Sequence, residues 1–255
     1  MGSSPGKNST MNVKTVLITG AARRLGEAIT RELHASGANV MVHYRQAAAE
    51  ANALVAELNA DRPRSAACLQ ADLLRIDTLQ TLVDGTIDQF GRLDVLINNA
   101  SSFYPTPFAT VDQGAWDDLI GSNLRAPLFL TQAAAPHLTA SRGCVINITD
   151  IHAERPLAGY PLYCTAKAGL LGLTRALAIE LAPEVRVNAI APGAILWPES
   201  EIFDSAMQRE IVDHTLLQRA GHPRDIARAV RYLVDCADYM TGQVINVDGG
   251  RTAHL

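Results

Sequence analysis

Val13–Gly37, VKTVLITGAARRLGEAITRELHASG, decides the fold. It opens with an apolar, β-branched run that stops at Gly20. Apolar residues then recur at Leu25, Ile29 and Leu33, the spacing of one helix face. The pattern is strand, tight turn, helix, with Gly20 and Gly26 at the turn and Arg24 where a dinucleotide fingerprint often carries a further glycine. Glycine there lets backbone amides approach a pyrophosphate, and the helix N-terminus adds unsatisfied N–H groups and a partial positive charge. Taken alone, the pattern is equally that of a structural turn.

The same alternation continues outward. ANVMVHY (38–44) reads as a second strand, and its end is where such a fold selects its cofactor: an acid binds a free ribose 2′-OH, whereas arginines accommodate a 2′-phosphate. His43, Tyr44 and Arg45 stand here, with Arg23 and Arg24 in the first turn, so NADPH is expected over NADH; arginines on a solvated surface are the plainer reading. Helix 47–60 leads to a third strand, SAACLQADL (65–73), ending at Asp72 and Leu73. Asp72 is placed either to reach an adenine edge or to cap a helix from Ile76 to Phe90. LDVLINNAS (93–101) is a fourth buried strand ending in Asn98, Asn99, Ala100 and Ser101. The irregular SSFYPTPFATV (101–111) follows at a strand's carboxyl end, where ligands bind in open α/β sheets; Phe103 either stacks on a flat heterocycle or packs the loop.

A helix from Trp116 carries Asn123, and a second from Arg125 to Leu138 holds Pro127 in its first turn. Strand GCVINITD (143–150), a helix Tyr163–Leu181, strand VRVNAIAPG (185–193) ending at Pro192 and Gly193, a helix 223–235 and strand QVINVDGG (243–250) complete the chain. Between them, 194–218 reads as a mobile insertion able to close over a substrate, with Trp197 as a pocket wall or ordinary packing. Six or seven strands alternating with helices predict a single α/β domain with a doubly wound parallel sheet, a Rossmann fold, over 13–255. Residues 1–12, Gly/Ser-rich and without periodicity, read as a disordered leader.

With 48% apolar and 19% charged residues, the chain supports one sizeable core. A net charge of −4 and a pI near 6.0 give no electrostatic footprint for nucleic acid or an acidic membrane. Apolar runs are too short for a membrane span, and a cytoplasmic location is expected. Cys68, Cys144, Cys164 and Cys236 lack metal-like spacing; no metal is expected, and the thiols read as reduced and largely buried.

The chemistry concentrates in Asn147–Lys167, NITDIHAERPLAGYPLYCTAK. If the segment after Pro161 is helical, Tyr163 and Lys167 share one face, with Asp150 at the end of the preceding strand. A phenol with a reference pKa of about 10 is a poor acid or base near neutrality, and a neighbouring cation draws it toward useful values. The pair is therefore a candidate proton-delivery device, although Tyr and Lys at this spacing also occur on helices without chemistry.

TG-x3-R-x-G (Thr19, Gly20, Arg24, Gly26), NNA (Asn98–Ala100), Asn123, Y-x3-K (Tyr163, Lys167) and PG (Pro192, Gly193), in that order, resemble the short-chain dehydrogenase/reductases over essentially the whole chain from Val13. Two departures, Arg24 for a glycine and Asp150 for a serine, together with ASSFYPTP at 100–107, resemble the pteridine reductase subfamily. The resemblance implies an NADPH-dependent reductase of pterins or folates, assembled as a homotetramer. It implies cofactor contacts from Gly20, Arg24, Leu25 and Gly26, from His43, Tyr44 and Arg45, and from Asp72 and Leu73. Asn99, Ala100, Ser101, Tyr163, Lys167, Pro192 and Gly193 complete that set. Arg24, Ser101, Phe103, Asp150, Tyr163 and Trp197 would meet the substrate, with Phe103 stacked on the pterin and Arg24 reaching both cofactor phosphate and pterin. Asp150, Tyr163, Lys167 and Asn123 would be catalytic, Lys167 binding the nicotinamide ribose and lowering the Tyr163 pKa and Asn123 holding a water. A carbonyl or 3-oxoacyl-thioester reductase and a non-catalytic NADPH-binding protein are the alternatives.

Overall fold

The computed structural model describes residues 13–197 and 204–253. The expected leader at 1–12, residues 198–203 of the expected substrate loop, and 254–255 lie outside the described residues. In chain order the elements are β1 (Thr15–Ile18), α1 (Arg24–Ala35), β2 (Asn39–Tyr44), α2 (Ala48–Asp61), β3 (Ala66–Gln70), α3 (Leu79–Phe90), β4 (Val95–Asn98) and α4 (Gln113–Ile120). They continue as α5 (Ala126–Ser141), β5 (Cys144–Ile148), α6 (Pro161–Glu180), β6 (Arg186–Pro192), α7 (Ser205–Asp213), α8 (Pro223–Asp235) and β7 (Val244–Val247).

The strands form one sheet in the order β3-β2-β1-β4-β5-β6-β7, every neighbouring pair parallel. The strands read as continuous apolar runs because both faces are covered. Val16, Ile18, Val40, Ile97, Ile146 and Ile190 point into a core with Ile29 and Leu33 of α1, Leu54 and Leu58 of α2, and Ile226, Val230 and Leu233 of α8. Leu17, Met41, Leu96, Val145 and Val187 point the other way, against Leu82 and Val83 of α3 and Leu130, Ala134 and Leu138 of α5. The chain reverses direction across the sheet between β1 and β4, which opens a crevice at their carboxyl ends.

Three local expectations change. The third strand ends at Gln70 rather than at Asp72 and Leu73. Asp72 then closes a turn, its Oδ1 accepting the Leu74 N–H at 3.1 Å, and does not cap a helix at Ile76, where one 3-10 turn precedes α3. The helices around Asn123 are not separate: α4 and α5 are joined by a π-helical turn, Gly121–Arg125, in which the Ala126 N–H reaches the Gly121 carbonyl. Pro127 has no N–H to return to the Asn123 carbonyl, and the widened turn accommodates it inside a continuous helical run.

Gly20 adopts φ +60°, and a Cβ on Gly26 would run into the Gly20 carbonyl oxygen and the Asn99 side-chain amide. The seam between α1 and the first turn therefore has room for hydrogen alone. Gly26→Ala is expected to destabilise the protein by about 1–3 kcal/mol through overpacking, read as a lowered urea midpoint with unchanged slope.

Candidate functional site

A cleft of about 820 Å3 lies across the carboxyl ends of the strands. Its floor is built by a closed set of hydrogen bonds between the ends of β1 and β4. The buried Thr19 hydroxyl donates to the Ile97 carbonyl (3.3 Å) and accepts the N–H groups of Asn99 (2.9 Å) and Ala100 (3.0 Å). In return, the Asn99 side-chain amide donates to the carbonyls of Thr19 (2.8 Å) and Gly20 (3.1 Å). From β2, His43 Nδ1 accepts the Gly20 N–H at 3.1 Å, which leaves the ring proton on Nε2, 3.1 Å from the Ala71 carbonyl. Burial pushes the His43 pKa down to about 4. His43 thus braces the turn as a neutral ring and adds no cation beside Arg45.

Arg24 sits at φ +55°, in the left-handed region that glycine adopts freely and arginine seldom does. That backbone carries its guanidinium over the cleft, where Nη2 donates to the Trp197 carbonyl at 2.9 Å. Arg23 pairs loosely with Glu50 at 3.6 Å on the exposed surface.

β5 and α6 bring the candidate proton-handling groups together. Pro161 starts α6, and its helical spacing buries Tyr163 and Lys167 on the same face. The Tyr163 hydroxyl donates to Asp150 Oδ2 at 2.7 Å, while Asp150 Oδ1 accepts the His152 N–H at 2.8 Å. Lys167 Nζ donates to the Ile148 carbonyl at 2.9 Å and lies 5.7 Å from the centroid of the Tyr163 ring. The expected lowering of the Tyr163 pKa is reversed here. Burial, reinforced by the Asp150 charge and hydrogen bond, holds the phenol well above its ordinary value. Lys167 is the group brought down, to about 8, by burial against which Asp150 acts only partly. The phenol is therefore a retained proton, hydrogen-bonded to a carboxylate.

Phe103 lines the cleft and does pack its loop: its ring stacks on Tyr160 (centroids 4.7 Å, 12° between planes) and meets the edge of Tyr163 (4.7 Å, 80°). Asn123 stands behind the wall rather than in it. Its Nδ2 donates to the Ser102 and Leu119 carbonyls, both at 3.0 Å, and its Oδ1 accepts the Ser101 hydroxyl at 2.6 Å. Every other residue singled out from the sequence as a catalytic, cofactor or substrate contact lines the one cleft. The sequence reading leaves out Thr19 as a site residue, the apolar wall of Ile195, Leu196 and Ile211, and Arg251. The signal for Arg251 was its place just beyond the carboxyl end of the last strand. Among the described residues no cluster of His, Cys, Asp and Glu is arranged to hold a metal, and no helix is long and apolar enough to cross a membrane.

A family model described as enoyl-(acyl carrier protein) reductase matches residues 20–252. Pteridine reductase 1 of Leishmania tarentolae is 38% identical over 276 residues, spanning 92% of this chain and 94% of that protein. The 3-oxoacyl-(acyl-carrier-protein) reductase FabG of Staphylococcus epidermidis is 35% identical over 240 residues, 93% and 98% of the two chains. The corresponding reductase of Synechocystis is 35% identical over 244 residues, 94% and 97% of the two.

The buried ammonium sets a pH signature for the ligand-free protein. Lys167 is protonated in the folded state below about pH 8, whereas in the unfolded chain it keeps its proton to about 10.5. Between those values the unfolded state binds more protons, so this group's contribution makes stability rise with pH from about 8 to 10.5 and level off below about 8. A lysine Cε resonance titrating near pH 8, absent in Lys167→Met, is expected from carbon-labelled protein.

Proposed function

The chain belongs to the short-chain dehydrogenase/reductase family, and from that premise we propose that it is an NADPH-dependent pteridine reductase, converting a 7,8-dihydropterin to the tetrahydropterin and accepting dihydrofolate as well. The observation that carries this reading is the Tyr163 hydroxyl bound to Asp150 at 2.7 Å in the cleft. Reducing a ketone builds negative charge on oxygen, which a neutral hydroxyl stabilises and an ionised carboxylate repels. Reducing a C=N bond makes a basic nitrogen that must take up a proton, and a carboxylate beside a protonated phenol can relay one.

NADPH suits the residues present. The start of α1 presents backbone without a Cβ at Gly20 and Gly26, where a diphosphate would meet helix N–H groups. Arg45 and Arg23 flank the end of β2, on the side that suits a 2′-phosphate. When bound, the cofactor supplies a hydride. Asp150 and Tyr163 hold the proton for N5 of the substrate; with hydride added at C6, the C=N bond becomes CH–NH. For a fully oxidised pterin the hydride goes to C7, and Tyr163 protonates N8. Phe103, backed by Tyr160, offers the flat ring a stacking face. Asn123 accepts the Ser101 hydroxyl at the strand end, and Lys167, now on the Ile148 carbonyl, would take the nicotinamide ribose.

Reduction of a 3-oxoacyl thioester is the second reading, favoured by the similarity to the staphylococcal and Synechocystis enzymes. Steady-state NADPH oxidation separates the two. Turnover of dihydrobiopterin and dihydrofolate is expected to exceed that of acetoacetyl-CoA, and turnover of the thioester alone would overturn the pterin reading. Asp150→Ser is expected to lower kcat for dihydropterin by about 10²–10⁴ while leaving the NADPH Kd little changed; wild-type turnover in that variant removes Asp150 from proton supply. Arg45→Gln is expected to weaken NADPH binding about tenfold and to leave NADH binding unchanged, measured by cofactor fluorescence.

A further inference from the structure

The cleft carries cations at two ends. Arg23, Arg24 and Arg45 lie by β1 and β2, and Arg251 lies just beyond β7. From β2 to β7 the sheet crosses five inter-strand spacings, so the two ends stand about 24 Å apart. The Asp150–Tyr163 pair follows β5, two spacings or about 10 Å from the β7 end.

The turn that carries Arg251 is tightly built. Asp248 Oδ1 accepts the Gly250 N–H at 2.9 Å, and Oδ2 accepts the Thr252 N–H (2.8 Å) and hydroxyl (2.7 Å). Gly193 packs directly against Asp248, and the Leu217 N–H donates to the Gly249 carbonyl at 3.1 Å. The Asp248 carboxylate is thus consumed by its own turn. Among the described residues no acid forms an ion pair with Arg251, although its side chain helps line the cleft. A half-buried arginine with no carboxylate partner among the described residues, on a hydrogen-bonded turn at the cleft, is suited to an anion brought by a ligand.

We propose that Arg251 is a specificity-determining residue that binds an anionic group on the tail of the substrate, about 10 Å from the reacting ring. The inference rests on the proposed reductase site only in placing the reacting group at Asp150 and Tyr163. A 2′-phosphate beside Arg45 would follow β2, five spacings or about 24 Å along the sheet from the end of β7. The short hydroxylated side chain of a biopterin carries no anion. The glutamate carboxylates of a dihydrofolate do, at the far side of an aminobenzoyl spacer; so does a coenzyme A thioester, through its phosphates. The shared chemistry is an oxyanion on an extended tail. Arg251 therefore favours conjugated over unconjugated substrates.

The test is calorimetric titration of the full chain saturated with NADP+, as wild type, Arg251→Gln and Arg251→Lys. The ligands form two pairs: dihydrofolate against dihydrobiopterin, and acetoacetyl-CoA against its neutral N-acetylcysteamine counterpart. Arg251→Gln is expected to weaken the anion-bearing member of a pair about tenfold and the neutral member less than twofold, and Arg251→Lys to recover most of the loss. The wild-type affinity for the anion-bearing member should also fall as salt is raised. Equal effects on both members, no effect on either, or failure of both anionic ligands to bind overturns the proposal. Binding confined to the thioester pair, with the tenfold loss in its anionic member, would uphold Arg251 while refuting the pterin reading.

Discussion

The hydrogen bonds that tie Thr19 to Asn99 and Ala100 hold the site in register. They join β1 to β4 where the chain changes direction across the sheet, so the cleft's floor and its helix N-terminus are fixed by the same few atoms. The buried Thr19 hydroxyl both donates and accepts, and the half-buried Asn99 amide is spent on two carbonyls, which makes the arrangement intolerant of partial loss. His43 extends it to β2 by taking the Gly20 N–H, and Gly26 lets α1 close onto it without a side chain between.

A second polar assembly, at β5 and α6, gathers titratable groups in the cleft. Its logic rests on burial. With Tyr163 enclosed and Asp150 as its hydrogen-bond acceptor, the phenol keeps its proton; with Lys167 enclosed and spent on the Ile148 carbonyl, the ammonium is the group whose charge is easily lost. A ligand that adds charge or excludes further water near this trio acts on both groups at once. The three aromatic rings of Phe103, Tyr160 and Tyr163 join the buried phenol to the lining of the cleft.

The alternation of elements and the parallel sheet were legible in the sequence because they depend on local periodicity: apolar runs for doubly covered strands, 3.6-residue spacing for the helices. The grouping of site residues was legible for a related reason, since they cluster at strand ends. Properties set by distant partners were not. That His43 is a neutral brace depends on Ala71 and Gly20; that Tyr163 is held protonated depends on enclosure and on where Lys167 points. The π-helical turn at Gly121–Arg125 was hidden because Pro127 reads as a helix start as naturally as an accommodated interior residue. Asn123 was recognised by type, but its contact with Ser101 depends on that turn.

Arg24 sets a limit on how this chain can be engineered. Its backbone is left-handed at φ +55°, so any procedure that ranks residues by folding energy alone will favour glycine there. The chosen variant would be easier to fold and would lack the guanidinium that spans to the Trp197 carbonyl. Thermostabilising redesign of this scaffold would therefore lose that contact unless position 24 is held fixed.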